Sequence, residues 1–310
     1  MVIERITPKD RRAWLSLRGR DVTASVAACL FGEHPFVSEY ELWASKTGRI
    51  TETGEETDAM RRGRLLEPVA VQLLREMKPK WKIEHNAAEN TYYRDPDARL
   101  GGTPDVIVQH PERGPGVVQI KSVEASVFRR NWLLDGEPDA PLWIAMQASV
   151  EAYLTGAQWA AVAPLVIGHG IEMPLLDVPL VPGVIDAIKE RTAEFWSMVE
   201  SGREPEPDYA RDARLIERLY AQGDDHEEID LSNDNRIPIL ISERDAALED
   251  RRAAEDRLTE IEAEVKAKLG TATVAHLGDG RRITWETRRR RGFTVDPVNY
   301  RVMKFPKPLI

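Results

Sequence analysis

From residue 58 to residue 77 the chain reads DAMRRGRLLEPVAVQLLREM, and Leu65, Leu66, Val69, Leu73 and Met77 recur at helical spacing. The pattern predicts an amphipathic helix with Glu67 near its middle, directly before Pro68, where a proline kinks or restarts a helix. Residues 8 to 50 predict further helices. PKDRRAWLSLRGR opens at Pro8, and TASVAACLFG lies between an N-cap at Thr23 and a stop at Gly32. VSEYELWASKTG carries a capping box, Ser38 with Glu41, and ends at Gly48. Strand-like segments follow: WKIEHNAAENTYYRD, LGGTPDVIVQH and GVVQIKSV, with PERGPG as the turn between the last two. The helix PLWIAMQASVEAYLTG then runs to Gly156, before an apolar strand QWAAVAPLVIG and another around IEMPLLDVPL. PGVIDAIKERTAEFWSMVESG is an amphipathic helix closing at Gly202. Strands flanked by helices predict an α/β core with a mixed sheet.

REPEPDYARDA marks a boundary, giving a domain over 1–210 and an extension over 211–310. The extension predicts a charged helix from about Ser242 to Leu269, with a thin stripe of Leu248, Leu258, Ile261, Val265 and Leu269. Such a stripe suits a two-helix or coiled-coil seam, or a helix packed across another domain. TATVAHLGDGRRITWETRRRRGF reads as a hairpin turning at Asp-Gly.

Composition narrows the class. The 310 residues are 42% hydrophobic and 31% charged, as in globular rather than disordered chains. The lone Cys29 excludes an intramolecular disulfide and suits a reducing compartment; inside its apolar helix it reads as a small hydrophobe rather than a nucleophile. The opening MVIERITPKDRRAW shows no apolar signal region and no stretch reaches a membrane span, so the expected location is cytoplasmic. A net charge of -9 argues against a histone-like coating of positive potential, while leaving room for a nucleic-acid enzyme with a basic groove. Arginines gather at Arg11, Arg12, Arg18 and Arg20, at Arg61, Arg62 and Arg64, at Arg129 and Arg130, and from Arg288 to Arg291. Each cluster is also readable as a solvated helix face.

The chemistry concentrates in GGTPDVIVQHPERGPGVVQIKSV. Asp105 follows a Gly-Gly-Thr-Pro bend at the start of a strand. Gln119 and Lys121 share one strand face, and Ile120 points to the other. If the strands form a hairpin, Asp105 meets Gln119 and Lys121, so a carboxylate, an amide oxygen and an ammonium converge at a sheet end. Oxygens there suit a divalent cation that activates water and offsets phosphate charge, with Lys121 positioning the nucleophile. Glu67 offers a second carboxylate if its helix packs on the sheet face that carries Asp105. An Asp and a strand Lys alone are common in α/β proteins; their combination with Gly-Gly-Thr-Pro and an upstream helical Glu is what distinguishes this stretch.

Several blocks in order resemble the YqaJ-type viral recombinases, relatives of lambda exonuclease within the PD-(D/E)XK nucleases. They are RRAWLSLRGRDVTASVAACLFGEHPFVSEYELWASKTG, AMRRGRLLEPVAVQLL, GGTPDVIV, VVQIKSV and WIAMQASVEAYLTGAQWAAVAPL, and together they span roughly residues 10 to 200. The resemblance implies a restriction-endonuclease-like core in which Glu67 and Asp105 serve the metal, with the Ile120 carbonyl as a further ligand and Lys121 acting on the attacking water. It implies Gln147 as the glutamine close to the active site, and Arg18 and Ser25 as contacts of a 5′ phosphate. It further implies Mg²⁺ (Mn²⁺ in its place), a 5′ to 3′ exonuclease on double-stranded DNA ends, a ring-shaped homotrimer and a single-strand annealing partner. Gln119 departs from the pattern, which has Glu or Asp there. A neutral amide oxygen is a weaker ligand for a hard cation, so the site is expected to lean on Asp105 and Glu67. The Gln119 oxygen is expected to face the metal, leaving its nitrogen for a phosphate or Glu67. Two other readings stay open: a catalytically silent DNA-binding or assembly protein of the same fold, for which Gln119 speaks, and a RecB-like endonuclease or repair nuclease.

Overall fold

The computed structural model describes residues 2–50, 57–221, 228–287 and 289. The chain opens with β1 (Glu4–Ile6), α1 (Arg11–Arg20) and β2 (Val22–Thr23). Asp10, rather than Pro8, starts α1: its carboxylate accepts the Ala13 N–H at 2.7 Å. The segment TASVAACLFG does not wind as one helix. Thr23 is committed to a ladder with Gly101, and the Ala24 N–H donates to the Gly101 carbonyl at 2.7 Å. Thr23 therefore caps nothing, and only Ala27–Phe31 coils, as a 3₁₀ turn closed by Gly32 at φ 74. In α2 (Glu39–Lys46) the Ser38 hydroxyl accepts the Glu41 N–H at 2.9 Å, as the capping box predicts.

Next comes α3 (Asp58–Met77), which does not restart at Pro68. Its buried face is Ala70, Val71 and Leu74, flanked by half-buried Leu66, Glu67 and Leu73. Leu65, Val69 and Met77 are largely exposed, so the stripe read from the largest apolar residues is rotated from the true one. Small side chains, Ala70 and Val71, bring the helix against the sheet, and Glu67 shares that inward side.

The strands follow: β3 (Lys82–His85), β4 (Tyr92–Asp95), β5 (Leu100–Gly102), β6 (Val106–His110) and β7 (Gly114–Glu124). Two of the sequence segments expected as single strands are each split between two sheets. A four-stranded sheet has the order β1-β4-β5-β2, whereas β3, β6 and β7 belong to a six-stranded one. Buried Asn86 fastens the junction. Its amide nitrogen donates to the carbonyls of Thr91 (2.9 Å) and Pro104 (3.0 Å), its amide oxygen accepts the Thr91 N–H (3.0 Å), and its own N–H donates to the Asp105 carbonyl (3.0 Å).

After β7 come α4 (Ala125–Asn131), a small hairpin of β8 (Leu133–Leu134) with β9 (Glu137–Pro138), α5 (Leu142–Thr155) and β10 (Trp159–Ile167). Short β11 (Ile171–Glu172) and β12 (Leu176–Val178) both pair with β10. The large sheet runs β11-β10-β7-β6-β3; β7 and β10 are parallel and the other pairs antiparallel, so the sheet is mixed. The parallel pair needs a long crossover, which α4 and α5 supply. Alternation along β7 divides the core. Val118 and Ile120 pack under α3 with Ala70, Val71 and Leu74, whereas Val117 and Val123 pack with Ile144, Ala148 and Ala152 of α5. Gln119 and Lys121 thus belong to the α5 face.

The last elements of this unit are α6 (Val184–Ser201), which buries Ile188, Phe195 and Trp196, and α7 (Ala213–Leu219), which buries Leu215. Residues up to Leu219 belong to it: the Ser38 hydroxyl donates to the buried Asp212 carboxylate at 2.5 Å, and Arg211 donates to the His34 carbonyl.

The second compact unit, Tyr220–Ile310, holds α8 (Arg236–Leu269) and the antiparallel pair β13 (Val274–His276) and β14 (Arg282–Thr284). The helix starts before Ser242 because Asp234 accepts the N–H groups of Arg236 (2.8 Å) and Ile237 (3.2 Å). None of its residues is buried, the stripe from Leu248 to Leu269 included. Gly280 takes φ 82 at the hairpin turn. Of the arginine cluster, Arg288, Arg290 and Arg291 lie outside the described residues. No helix among the described residues is long and apolar enough to cross a membrane.

Candidate active site

Antiparallel pairing of β6 with β7 sets Val106 opposite Val118, which brings Asp105 to Gln119. One carboxylate oxygen of Asp105, Oδ2, accepts both the Ile120 N–H, at 2.8 Å, and the Gln119 side-chain N–H. The Gln119 nitrogen also lies 3.3 Å from the Ile120 carbonyl. It is therefore spent on the strand hairpin and not on Glu67, contrary to the expectation from sequence. The Gln119 Oε1 is buried and meets no donor among the described residues. Lys121 donates to Gln147 Oε1 at 2.9 Å, and Gln147 Nε2 passes the chain on to Glu151 Oε1 at 2.9 Å. Gln147 and Glu151 are one turn apart on α5 and both buried.

Glu67 arrives by a different route from the one expected. Its helix packs on the opposite face of β7 from Gln119 and Lys121, and the side chain meets the site where His85 ends β3. His85 Nε2 and Glu67 Oε1 are 2.8 Å apart. A cleft of about 420 Å³ gathers Arg18, Ser25, Glu67, Asp105, Gln147 and Glu151 along its walls, with Trp14 and Thr103 beside them. The Trp14 indole donates to the Thr103 hydroxyl at 3.0 Å, and the Arg18 guanidinium sits 4.5 Å above the Trp14 ring. Arg18 reaches the Ser25 hydroxyl at only 3.5 Å, a loose contact. Ser25 also pairs with the Thr23 hydroxyl at 3.0 Å.

The cleft is electrostatically acidic in its depths. Burial, and then the Glu67 carboxylate, push the Asp105 carboxyl well above the ordinary range, with Lys121 opposing. Burial, and then Asp105, likewise push Glu151 up. Among the described residues, no three His, Cys, Asp or Glu side chains come together as a ready-made metal cluster. The donors are nonetheless of the right kind for a hard cation: the carboxylates of Glu67 and Asp105, and a buried amide oxygen on Gln119 that lacks a partner. A cation there would relieve the mutual repulsion of the two acids. The site residues fit a divalent ion.

Sequence reasoning overlooked His85, Glu151, Trp14 and Thr103. Glu151 carried a signal, since Gln147 and Glu151 form an i, i+4 polar pair inside an otherwise apolar helix. His85 carried none, because its role depends on which helix crosses the end of its strand.

A mixed sheet with helices on both faces, and an Asp and a Lys held at its central hairpin, is the α/β core that the sequence predicts. Residues 13–158 match the family model described as the YqaJ-like viral recombinase domain. The protein YqaJ of Bacillus subtilis (strain 168) is 23% identical over 288 residues, covering 90% of this chain and 84% of its own. Among solved structures, an alkaline exonuclease from Laribacter hongkongensis is 20% identical, covering 66% of this chain and 99% of its own at a TM-score of 0.46. A phage related exonuclease from Haemophilus somnus 129PT is 12% identical, covering 58% and 94%, with a TM-score of 0.39.

Proposed function

We propose that the protein is a metal-dependent deoxyribonuclease, an exonuclease that degrades double-stranded DNA from its ends, 5′ to 3′, in phage-type recombination. One observation carries this reading: Asp105 and Glu67 share a single cleft with Gln147, the residue that holds the Lys121 ammonium. Mg²⁺, or Mn²⁺ in its place, held by Glu67, Asp105, the Gln119 amide oxygen and the Ile120 carbonyl, would supply an acidified water and offset phosphodiester charge. Lys121, fixed by Gln147, presents a positive charge to the attacking oxygen and to the charge that develops on the phosphate. Asp105 is held rigid by two donors on one oxygen, which leaves its other oxygen for the site. Arg18 and Ser25 offer a guanidinium and a hydroxyl to a terminal 5′ phosphate. The ring-shaped homotrimer and the single-strand annealing partner belong to the same proposal, with the second unit, from Tyr220 on, as a candidate oligomer or partner contact.

The test is digestion of end-labelled linear duplex with and without Mg²⁺, comparing 5′-phosphorylated with 5′-hydroxyl ends and with closed circular DNA. Mg²⁺-dependent loss of label from linear DNA, faster on phosphorylated ends, is the expected result. Nicking of circles would point to the endonuclease reading instead. A silent DNA-binding protein is favoured by the Gln119 amide, a neutral group in the pattern's acidic position that donates into Asp105. Absence of Mg²⁺-dependent cleavage, with DNA binding retained, would establish that alternative.

A further inference from the structure

Glu151 is 1% exposed, yet it is a carboxylate with one oxygen left over. Its Oε1 accepts from Gln147, and its buried Oε2 meets no donor among the described residues. The surroundings are shaped to admit it. A Cβ placed on Gly102 would stand 3.6 Å from the Glu151 Cγ, and only 3.3 Å from Ala24 and from Leu154. Gly102 thus lets β5 lie close against Ala24 and Leu154 beside Glu151, and Glu151 lines the cleft that Glu67 and Asp105 also line. A carboxylate is rarely taken fully out of water without a compensating charge. Gln119, bonded to Asp105 of that cleft, holds a second buried oxygen without a partner among the described residues, and this one is neutral.

We infer that Glu151 is the third anionic group of the cation site, supplying across the cleft the negative charge that the Gln119 amide does not. The inference rests on the metal-dependent reading above. Divalent oxygen sites gain affinity with the number of ligand charges, and in a cleft shielded from water a charge need not touch the ion to act on it. Such an action agrees with Glu67, Asp105 and Glu151 not forming a close three-acid cluster. A purely structural role would be different: Glu151 would only turn Gln147 so that its oxygen faces Lys121. A glutamine at 151 would do that equally well, since its amide oxygen accepts the same hydrogen bond.

The experiment is calorimetric titration of the full chain with Mn²⁺, without DNA. Glu151→Gln should weaken Mn²⁺ binding by about tenfold or more, the usual scale for groups just outside the ligands. Gln119→Glu added to that variant should restore most of the loss, and Gln119→Glu alone should tighten binding. A melting curve in EDTA establishes that Glu151→Gln is folded. If it is not, Glu151→Met, neutral and of similar length, takes its place in the same titration. Unchanged affinity in the folded neutral variant, or no rescue by Gln119→Glu, overturns the inference while leaving the nuclease reading intact. A wild-type protein that binds no Mn²⁺ overturns both.

Discussion

Gln119→Glu makes the sharpest test of the site because it should hurt the metal-free protein. In the fold the Gln119 amide donates to Asp105 Oδ2, which also takes the Ile120 N–H at 2.8 Å. Glutamate removes that donor and sets a second carboxylate against the first in a place already short of water. A hydrogen bond to a charged group contributes about 1.5–3 kcal/mol. Crowding two acids, one of which must keep its proton, adds on the order of 1 kcal/mol for each unit its pKa is raised. A total of about 2–4 kcal/mol at neutral pH follows, and at about 2–4 °C per kcal/mol for a chain of this size the midpoint falls by about 5–15 °C. The sign with pH is fixed. The pair's folded pKa is raised, as burial and Glu67 already raise that of Asp105. The folded variant therefore holds a proton that the unfolded chain releases, so its stability is full below the unfolded carboxylate range, about pH 4, and is lost as pH rises through the raised value. Saturating Mg²⁺ should reverse the loss, since a ligand that binds only the folded state stabilises it. Thermal melts followed by circular dichroism at pH 5, 7 and 8, in EDTA and in Mg²⁺, read all of this. Equal midpoints for variant and wild type in EDTA across that pH range would refute the reasoning.

Asp105→Ala and Lys121→Ala should each abolish Mg²⁺-dependent digestion of linear duplex while the protein stays folded by circular dichroism; wild-type rates in both would remove the site. Glu67→Gln should lower the rate and raise the Mg²⁺ concentration for half-maximal activity, whereas an unchanged Mg²⁺ requirement would return Glu67 to a partner of His85 only. Arg18→Ala should reduce the preference for 5′-phosphorylated over 5′-hydroxyl ends several-fold, on the scale of about 1–2 kcal/mol for a charge-assisted contact; unchanged discrimination would argue against a phosphate role. Cys29 is 2% exposed and burial pushes its thiol up to about 12, so iodoacetamide at pH 8 should label it only after denaturation. Rapid labelling of the native protein would contradict its place in the core.

Much of the fold was legible where a local rule decides the outcome. The Ser38 cap, the Gly156 and Gly202 stops and the hairpin that joins Asp105 to Gln119 depend on residues near in sequence. The misreadings share a physical cause, which is that distant partners override local preference. Thr23 has the chemistry of a helix cap, but β5 claims its backbone. Leu65 and Val69 fit a buried stripe, but the sheet accepts Ala70 and Val71, because close approach favours small side chains. Glu67 was singled out through its sequence block, while the face it comes from and its pairing with His85 depend on tertiary packing no spacing reveals.

Asn86 carries a consequence for how the protein tolerates change. A single amide, 6% exposed, ties the Thr91 corner of one sheet to the Pro104 turn that launches the other, and its N–H holds the Asp105 carbonyl. The Asp105 backbone is thus positioned by a residue outside the proposed chemistry. Drift in either sheet is felt at this joint beside Asp105, so substitutions in the outer strands should be tolerated best while Asn86 is kept.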